Sequence, residues 1–586
     1  MAAAYYDWER SSGGTGTEAD PYPGSDLAGL TINSASAIQE LYLRPSPEAA
    51  PGTSVGRYNL AGVISTSSGT GTNINPIAIR KWNNGELGNP RVSASTNSIA
   101  SGAWTQGSIS AYNVGANPTF SAGAGNIWRI PSSAKFFGLW PATVANPYGK
   151  FGARIDIRNQ TGSWLGAQPL TAPYQWGESG GFYYIYSLSN PSTLYGNFPA
   201  RNVDTGNYET DMLIQMRDIR DGFICEDITF EACDYVFNLK RSVNTGLITG
   251  PQIRRCKFLA CRQPIQVIQY LTRTISPNNL LDGTSGWNRF LLEECFAEHI
   301  GNSVISSTNV GIFNAMSAWR RNRFLDIGHC ESHGSIYIGG GWRTTDGGYG
   351  DIEENFIALQ QYGNYWKEDG WGLYIENRHR NGRIRNNIVY NSKGGIQTNS
   401  SNGDDVIQRN WLINSAPIAG SMGVRMADVL YDEKTGVLIQ NNVAYNFDNF
   451  YNSVGTGYGS PYPPGIDMRW NIAQLTGSNT GKYPIYSKET ADRYWLRPDG
   501  NRFYGYPAVI WNTTTDNSGY GSTNLTPLAL NTSTADTSTL LSIVPKSFDL
   551  DKVRAGWNPA LVIPQTEWIT NAGPTWSGCL TQDTSG

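Results

Sequence analysis

One eight-residue phrase occurs three times between Ile384 and Asn446. The copies are Ile384-Arg-Asn-Asn-Ile-Val-Tyr-Asn391, Ile407-Gln-Arg-Asn-Trp-Leu-Ile-Asn414 and Ile439-Gln-Asn-Asn-Val-Ala-Tyr-Asn446. In each copy, apolar residues lie two apart and Asn ends the phrase. Alternation with a period of two is typical of a β-strand, and Asn is a common turn residue. Each copy therefore predicts a short strand that ends in a tight turn.

Weaker copies of the phrase continue towards the N-terminus. Successive copies, marked by their large apolar residue, are 28, 38, 28, 32, 32, 23 and 32 residues apart, at Phe230, Phe258, Phe296, Phe324, Phe356, Ile388, Trp411 and Val443. Self-similarity with a period of 20–50 residues is typical of a solenoid. Because the units consist of short strands and turns with almost no helical periodicity, we predict an all-β protein built as a parallel β-helix. We expect the eight marker residues to stack inside it.

The chain has 586 residues, which is long for a single compact core, but a solenoid escapes that limit because each repeat packs on its neighbours. It contains 19 Trp and 32 Tyr, with only 16% charged residues. Many of these rings are therefore expected at the surface. There they either stack on a flat ligand or fill loops and ends.

Charge and hydropathy exclude two classes of partner. The net charge is −4, and the basic doublets Arg254-Arg255 and Arg320-Arg321 are isolated, which argues against nucleic acid and anionic membranes. No stretch approaches the roughly 18 apolar residues of a membrane span, so no membrane insertion is expected. The first ten residues lack the features of a signal peptide, and the seven Cys include no CxxC pair. We therefore expect folding in a reducing cytoplasm and buried free thiols.

The opening of the chain carries a family resemblance. Ala4-Tyr-Tyr, Gly13-Gly-Thr-Gly-Thr, Leu41-Tyr-Leu-Arg and Asn75-Pro-Ile follow one another as they do in pectate-lyase-like right-handed β-helix proteins, which act on polysaccharides. Together with the repeated Asn phrases, the resemblance covers most of residues 1–100 and 215–450. It implies a right-handed parallel β-helix. The segment from Phe182 to Pro191 resembles a small β insert that some of these proteins carry.

These patterns divide the chain into four regions. We expect the β-helix to start in residues 1–100, a β and loop insertion in 101–215, and the central parallel β-helix in 216–450. Residues 451–586 are rich in Thr and Ser towards their end and are expected to form a C-terminal cap or oligomerisation region. A cap is required because an open solenoid end exposes strand edges.

Each phrase is followed by a second strand whose alternation predicts an outer stripe. The apolar residues Ile336, Ile338, Leu373 and Ile375 should point inwards. The residues between and after them should point outwards and stack from rung to rung, namely Tyr337, Tyr374, Glu376, Arg378, Gln397 and Asn399.

The richest set of chemical groups lies between His329 and Arg380. Glycoside hydrolysis needs two carboxyl groups, which are about 5–5.5 Å apart in retaining enzymes and 6.5–9.5 Å apart in inverting ones. Glu376, with Asp369 or alternatively Glu368, is our candidate catalytic pair. The candidate substrate-binding residues beside them are Tyr337, Trp342, Arg343, Trp366, Trp371, Tyr374 and Arg378. The simpler interpretation is a solvated Glu376 and a polar turn at Glu368-Asp369 before Gly370.

The same stretch leaves a second chemistry open. A lyase acting on a uronic acid needs a base and a cation that binds the carboxylate, and these roles suit Lys367, Arg343, Arg378 or His379. His329, Glu331 and His333 have a spacing that binds metal on a helix, but this context is a strand or turn, so no metal is predicted. Asp404-Asp405 is first of all a turn, with calcium as the alternative. No cofactor is expected.

The resemblance extends to bacteriophage tailspikes. It implies a homotrimer that folds in the host cytoplasm, resides in the virion tail, contacts other tail proteins, and binds and depolymerises a bacterial capsule or O-antigen, with a glycosidase favoured over a lyase. One alternative is a secreted bacterial polysaccharide lyase or glycosidase of the same fold. Another is a non-catalytic adhesin that only holds glycan on its aromatic stripe.

Overall fold

The computed structural model describes the larger part of the repeat region and parts of the remaining chain. The described residues are 2–28, 30–33, 38–47, 56–59, 64–67, 78–93, 97–98, 104–109, 119–131, 135–136, 176–179, 181–191, 199–201, 212–217, 222–231, 233, 235–241, 247–259, 261, 263–269, 286–308, 317–328, 334–338, 350–358, 370–375, 382–399, 405–427, 437–454, 466–478, 480–487, 496–499, 501–506, 510–512 and 547–563.

The chain winds through three strands per turn and then pairs with its own next turn in parallel. One rung consists of Asp351–Glu353, Phe356–Ala358 and Trp371–Ile375. The next rung begins at Arg383–Arg385, which pairs in parallel with Asp351–Glu353. The stacked strands form three long faces, which we call sheets 1, 2 and 3. The predicted parallel β-helix is confirmed.

The strands of sheet 1 are Ala2–Asp7, Tyr22–Pro23, Ile38–Leu43, Ala78–Lys81, Ile224–Glu226, Gln252–Arg254, Leu291–Glu293, Ala318–Arg320, Asp351–Glu353, Arg383–Arg385, Val406–Gln408, Val437–Gln440, Ile466–Arg469 and Leu496–Asp499. The strands of sheet 2 are Arg57–Asn59, Arg91–Ser93, Thr229–Glu231, Lys257–Leu259, Phe296–Ile300, Arg323–Ile327, Phe356–Ala358, Ile388–Tyr390, Ile472–Gln474 and Arg502–Tyr504.

The strands of sheet 3 are Thr31–Asn33, Ile64–Ser67, Met212–Arg217, Tyr235–Arg241, Ile265–Gln269, Ile305–Thr308, Gly334–Ile338, Trp371–Ile375, Gly394–Asn399, Ile485–Ser487 and Ile510–Asn512. Two long strands, Trp411–Ala427 and Val443–Val454, run from sheet 2 into sheet 3. The sheets therefore continue to Asn512, with rungs on both sides of the expected boundary at residue 450.

Smaller elements accompany the solenoid. An antiparallel sheet, which we call the inserted sheet, contains Thr105–Ile109, Phe120–Ala122, Ile127–Pro131, Trp176–Ser179 and Phe182–Tyr186. The other strands are Asn97–Ser98, Lys135–Phe136 and Pro199–Arg201 in one sheet and Leu247–Thr249 with Gly286–Asn288 in another. An α-helix spans Leu550–Ala555, and 3₁₀ turns span Gly24–Leu27 and Pro559–Val562. Within the described residues, no helix has the length and apolar character needed to cross a membrane.

The corner between sheets 1 and 2 explains the repeated Asn. The first corner residue has a left-handed backbone, with φ between 49° and 62°, at Asp227, Arg255, Glu294, Arg321, Glu354, Asn386, Arg409, Asn441 and Trp470. The second corner residue is a buried Asn in successive rungs, at Asn322, Asn355, Asn387, Asn410, Asn442 and Asn471. The side chain of Asn387 donates to Asn410 Oδ1 at 2.9 Å and to Ile352 O at 2.8 Å. The Asn column thus satisfies buried backbone groups that a sharp corner would leave unpaired.

The interior is a continuous apolar column. It includes five free cysteines, and burial raises the pKa of Cys225, Cys261 and Cys295. The prediction of buried thiols is confirmed at Cys225, Cys233, Cys256, Cys261 and Cys295.

The prediction that all eight marker residues stack inside is wrong for five of them. Phe324 pairs with Ala297 rather than with Phe296, which pairs with Arg323. Phe230, Phe258 and Phe324 belong to the inner column, whereas the outer face of sheet 2 carries Phe296, Phe356, Ile388, Trp411 and Val443. Because these strands are apolar on both faces, their alternation does not reveal which face is inside.

The outer face of sheet 2 is covered by residues 547–563, which we call the C-terminal segment. The Phe548 ring packs edge-on against Phe356 and Tyr390, with centroids 5.2 Å and 5.0 Å away. Val553 and Ile563 are buried in the same cluster. The helix of this segment is capped by Asp549, whose carboxylate accepts hydrogen bonds from the backbone of Asp551 and Lys552. An apolar strip on the solenoid is thereby removed from water.

The outer face of sheet 1 is occupied by ion pairs. Acidic and basic residues alternate from rung to rung in register, at Arg80, Glu226, Arg254, Glu293, Arg320, Glu353 and Arg385. The ion-pair distances include 2.9 Å for Arg80–Glu226, 2.7 Å for Arg320–Glu293 and 2.8 Å for Arg385–Glu353. Since these charges neutralise one another, this face offers little to a charged ligand.

Candidate functional site

Sheet 3 carries an outward-facing column of polar and aromatic residues. In register from rung to rung it contains Asn238, Gln266, Ser306, Tyr337, Tyr374, Gln397, Arg425, Asn452 and Tyr486. The columns on either side, such as Ile336–Leu373–Ile396 and Ile338–Ile375, belong to the interior. The predicted orientation of Tyr337, Tyr374 and Gln397 is therefore confirmed.

Three predicted ligand-binding rings meet on this face. Tyr337 and Tyr374 lie on adjacent rungs, with ring centroids 5.2 Å apart and planes tilted by 47°. Trp371 joins them, and Met422 packs against the cluster. The rings are largely buried, with 9%, 6% and 2% exposure for Tyr337, Tyr374 and Trp371. A ligand on this face would therefore meet ring edges and neighbouring polar atoms rather than open ring faces.

A glycine makes room for this cluster. A Cβ atom on Gly394 would lie 2.3 Å from the Trp371 ring, closer than any side-chain contact allows. Gly394 pairs directly with Trp371 across the sheet. The ring of Trp371 thus lies close to the backbone of Gly394 on the next rung.

The column continues into a polar stretch that sequence reasoning missed. The Cζ atom of Arg425 lies 6.0 Å from the centre of the Trp371 ring. Within the described chain, its buried Nε atom has no hydrogen-bond partner, and neither does Oδ1 of Asn452 on the next rung, a residue that is only 3% exposed. An unpaired buried polar atom typically costs about 1–3 kcal/mol. These two atoms therefore favour a polar ligand at this point.

The sequence contained a signal for Arg425. It lies between Val424 and Met426, two inward-facing residues of a second strand, so alternation places it outwards beside Gln397. Arg425 is not among the candidate site residues, because the acidic and aromatic residues that indicate a site are concentrated between His329 and Arg380.

The remaining predicted site residues lie outside the described residues. These are the carboxylates Glu368, Asp369 and Glu376 and the ligand-binding candidates Trp342, Arg343, Trp366 and Arg378. The lyase alternatives Lys367 and His379 and the residues His329, Glu331 and His333 also lie outside them. Glu376 directly follows Ile375, the last described residue of its strand. The roles of all these residues stay predictions.

Asp405 is described and has a structural role. Its side chain is 1% exposed and accepts a hydrogen bond from the backbone of Gly382 at 2.8 Å. This contact joins two neighbouring rungs, and the turn and calcium interpretations of Asp404-Asp405 both stay predictions.

A second group of titratable residues lies on sheet 2, and no sequence pattern indicates it. The Nδ1 atom of His299 lies 2.6 Å from Asp326 Oδ2, and the neighbouring Glu298 is completely buried. Burial raises the pKa of Glu298, and the opposite charges of His299 and Arg554 oppose that rise. Because the C-terminal segment covers this group, a polymer could not reach it without displacing that segment.

Comparisons with known proteins give a limited result. No protein-family model matches the sequence, and no curated protein matches it. A solved structure described as a glycoside hydrolase aligns over 90% of this chain and 99% of its own, with a TM-score of 0.36 and 11% identity. Another, described as a complex of XylC with xylose, aligns over 88% and 86%, with a TM-score of 0.37 and 12% identity. At these scores the similarity says nothing about activity.

Proposed function

We propose that this chain binds and depolymerises a bacterial surface polysaccharide along the outer face of sheet 3. The observation that carries the proposal is the polar and aromatic column from Ser306 to Tyr486, with unpaired buried atoms at Arg425 and Asn452. Rungs are about 4.8 Å apart, so the seven positions from Ser306 to Tyr486 span roughly 29 Å, which accommodates several sugar units. The other two faces are occupied by ion pairs and by the C-terminal segment.

The favoured reaction is glycoside hydrolysis. In the sequence, Glu376 comes directly after the strand Trp371–Ile375, which presents Tyr374. The period-two alternation of the sequence supports a carboxylate on the glycan side. Asp369, or alternatively Glu368, precedes this strand and would supply the second carboxyl group. One group would protonate the leaving oxygen while the other activates water or attacks the sugar.

A polysaccharide lyase is the second candidate, and Arg425 favours it. Its guanidinium lies beside the aromatic cluster and has no carboxylate partner among the described residues. Such a cation would bind the carboxylate of a uronic acid and stabilise the charge that develops when the neighbouring proton is removed.

Incubation with panels of capsule and O-antigen polysaccharides separates the candidates. New reducing ends without new ultraviolet absorbance indicate a hydrolase. Reducing ends accompanied by the absorbance of an unsaturated uronate indicate a lyase. Binding without new reducing ends indicates an adhesin, and absence of binding contradicts the proposal.

The biological setting proposed for this activity rests on the family resemblance. We propose a tailspike-type homotrimer that folds in the host cytoplasm and resides in the virion tail, where it would contact other tail proteins. A secreted bacterial enzyme is the alternative.

A further inference from the structure

The inserted sheet presents a half-exposed aromatic face. Its strands pair so that Ile109, Phe120, Ile127, Arg129, Phe182, Tyr184 and Tyr186 share one side. Ile127 and Tyr184 are buried, and the other apolar residues of this side are only partly buried. Residues of the opposite side, including Trp128, Ile130 and Ile185, are buried. The sheet therefore has one packed side and one side with accessible rings.

A single cation lies at the centre of this face. The Cζ atom of Arg129 is 4.1 Å from the centre of the Phe120 ring and 4.4 Å from that of Phe182, so two rings flank the guanidinium. Its cross-strand neighbours are Thr105 and Tyr184, neither of which is acidic. Within the part of the chain that the structure describes, Arg129 has no carboxylate partner.

The arrangement is held in place before any ligand binds. A Cβ atom on Gly107 would lie 2.5 Å from the Phe120 ring, so the glycine lets that ring lie against the sheet. Tyr184 is the cross-strand neighbour of Arg129, and the guanidinium lowers the pKa that burial of Tyr184 raises. Preorganised side chains lose less conformational entropy on binding.

We infer that this face is a binding site for a sugar that carries a carboxylate, such as a uronic acid unit. A guanidinium flanked by two rings still exposes an edge of donors, and that edge matches the two oxygens of a carboxylate. Half-exposed aromatic rings bury apolar area when a flat ligand lies on them. The chain has a net charge of −4, so an acidic glycan would be held by this local cation rather than by overall attraction.

The site is independent of the catalytic proposal. It would hold an acidic polymer even if sheet 3 performed no chemistry, and cleavage on sheet 3 would not require it. Binding to Arg129 variants therefore tests this site, whereas release of reducing ends tests sheet 3.

The test is calorimetric titration of the full chain with three uronate tetrasaccharides, derived from polygalacturonate, alginate and hyaluronan. At least one should bind, and its carboxyl-reduced form should bind about ten-fold more weakly or worse, because a charge-assisted hydrogen bond is lost. Arg129→Gln should weaken binding by a similar factor.

Arg44→Gln is the matched control, since Arg44 also lies over a ring, that of Trp8 at 5.7 Å, but is already paired with Asp7, Glu9 and Glu86. This variant should bind as the wild type does. Melting temperatures verify that the variants are folded, and Arg129→Lys serves as a milder replacement if Arg129→Gln is not. The inference is overturned if no uronate binds, if the reduced sugar binds equally well, or if folded Arg129 variants retain full affinity.

Discussion

Nε of Arg554 donates a hydrogen bond to Oε1 of Glu298 at 2.7 Å, joining residues 256 positions apart. Glu298 is completely buried on sheet 2, and Arg554 belongs to the helix of the C-terminal segment. Next to this pair, a backbone carbonyl of the segment accepts from Arg323, and Asn558 donates to Glu354 O at 3.0 Å. The segment is therefore attached by polar contacts as well as by Phe548.

This pair predicts the direction in which folding stability changes with pH. The pKa of Glu298 is raised in the folded protein, mainly by burial, so the folded state holds the proton more tightly than the unfolded chain. Its stabilising contribution is fully present below the unfolded pKa of about 4.3 and is lost as the pH rises through the folded pKa. The side chain at position 298 cannot ionise in Glu298→Gln. The melting temperature of this variant minus that of the wild type should therefore increase as the pH rises from 4 to 8.

Glu86→Gln is the control for this experiment, because Arg44 lowers the pKa of Glu86 and the sign is reversed. Relative to wild type, that variant should lose stability as the pH rises from 4 to 8. Parallel melting curves for Glu298→Gln and wild type across the range would contradict the burial argument.

The Asn column should be essential for stability. In Asn387→Ala, the backbone N–H and side-chain amide of Asn355 both lose the acceptor that they contact at 3.1 Å and 2.9 Å, and Ile352 O loses a donor. Buried unpaired groups cost about 1–3 kcal/mol each, so we expect a loss of at least ~3 kcal/mol in the free energy of unfolding. Denaturant titration measures it, with the exposed Asn83→Ala as control. A loss below ~1 kcal/mol would refute the role of the column.

Arg425 should contribute to glycan binding on sheet 3. Arg425→Gln removes the one cation of the described column beside Trp371, and the loss of a charge-assisted contact should weaken binding of the cognate polysaccharide about ten-fold. Arg469→Gln is the control, since Arg469 lies on sheet 1 and is paired with Asp467 at 2.8 Å. Equal affinity of the two variants would remove Arg425 from the site.

Glu376 should be needed for turnover but not for binding. A positioned acid or base contributes about 10²–10⁴-fold, so Glu376→Gln should lower the rate of depolymerisation by at least ~100-fold. Release of reducing ends gives the rate, and titration with intact polysaccharide verifies that affinity is retained. If the variant keeps full activity, the catalytic carboxylates must be sought at Glu331 or Asp346 in the same stretch of sequence. Asp351 is a poorer candidate, because it lies on sheet 1 and pairs with Arg383 at 2.6 Å.

Oligomeric state is the fifth prediction. The proposed homotrimer requires a mass three times the 64.2 kDa of one chain. Trp557, Leu561 and Val562 on the C-terminal segment are exposed and apolar, as expected of a surface that packs against another copy. Light scattering that gives the mass of a single chain would refute the trimer.

Much of the solenoid could be predicted because its determinants are local. Period-two alternation assigns Ile336 and Leu373 to the interior and Tyr337 and Tyr374 to the outside, since neighbouring residues of a strand point to opposite faces. The repeated Asn predicts a corner because one amide can satisfy both the donors and the acceptors of a sharp turn. Neither inference depends on residues that are distant in the sequence.

Other features depend on tertiary contacts between residues that are distant in the sequence. The strands of sheet 2 are apolar on both faces, so Phe356 and Ile388 gave no sign that they face the C-terminal segment rather than the interior. The pairing of Glu298 with Arg554 joins a strand to a helix, and the placement of Arg129 between Phe120 and Phe182 brings together three strands. Alternation and turn chemistry act over a few residues, whereas these contacts depend on where long connections return the chain, and the tertiary structure alone decided them.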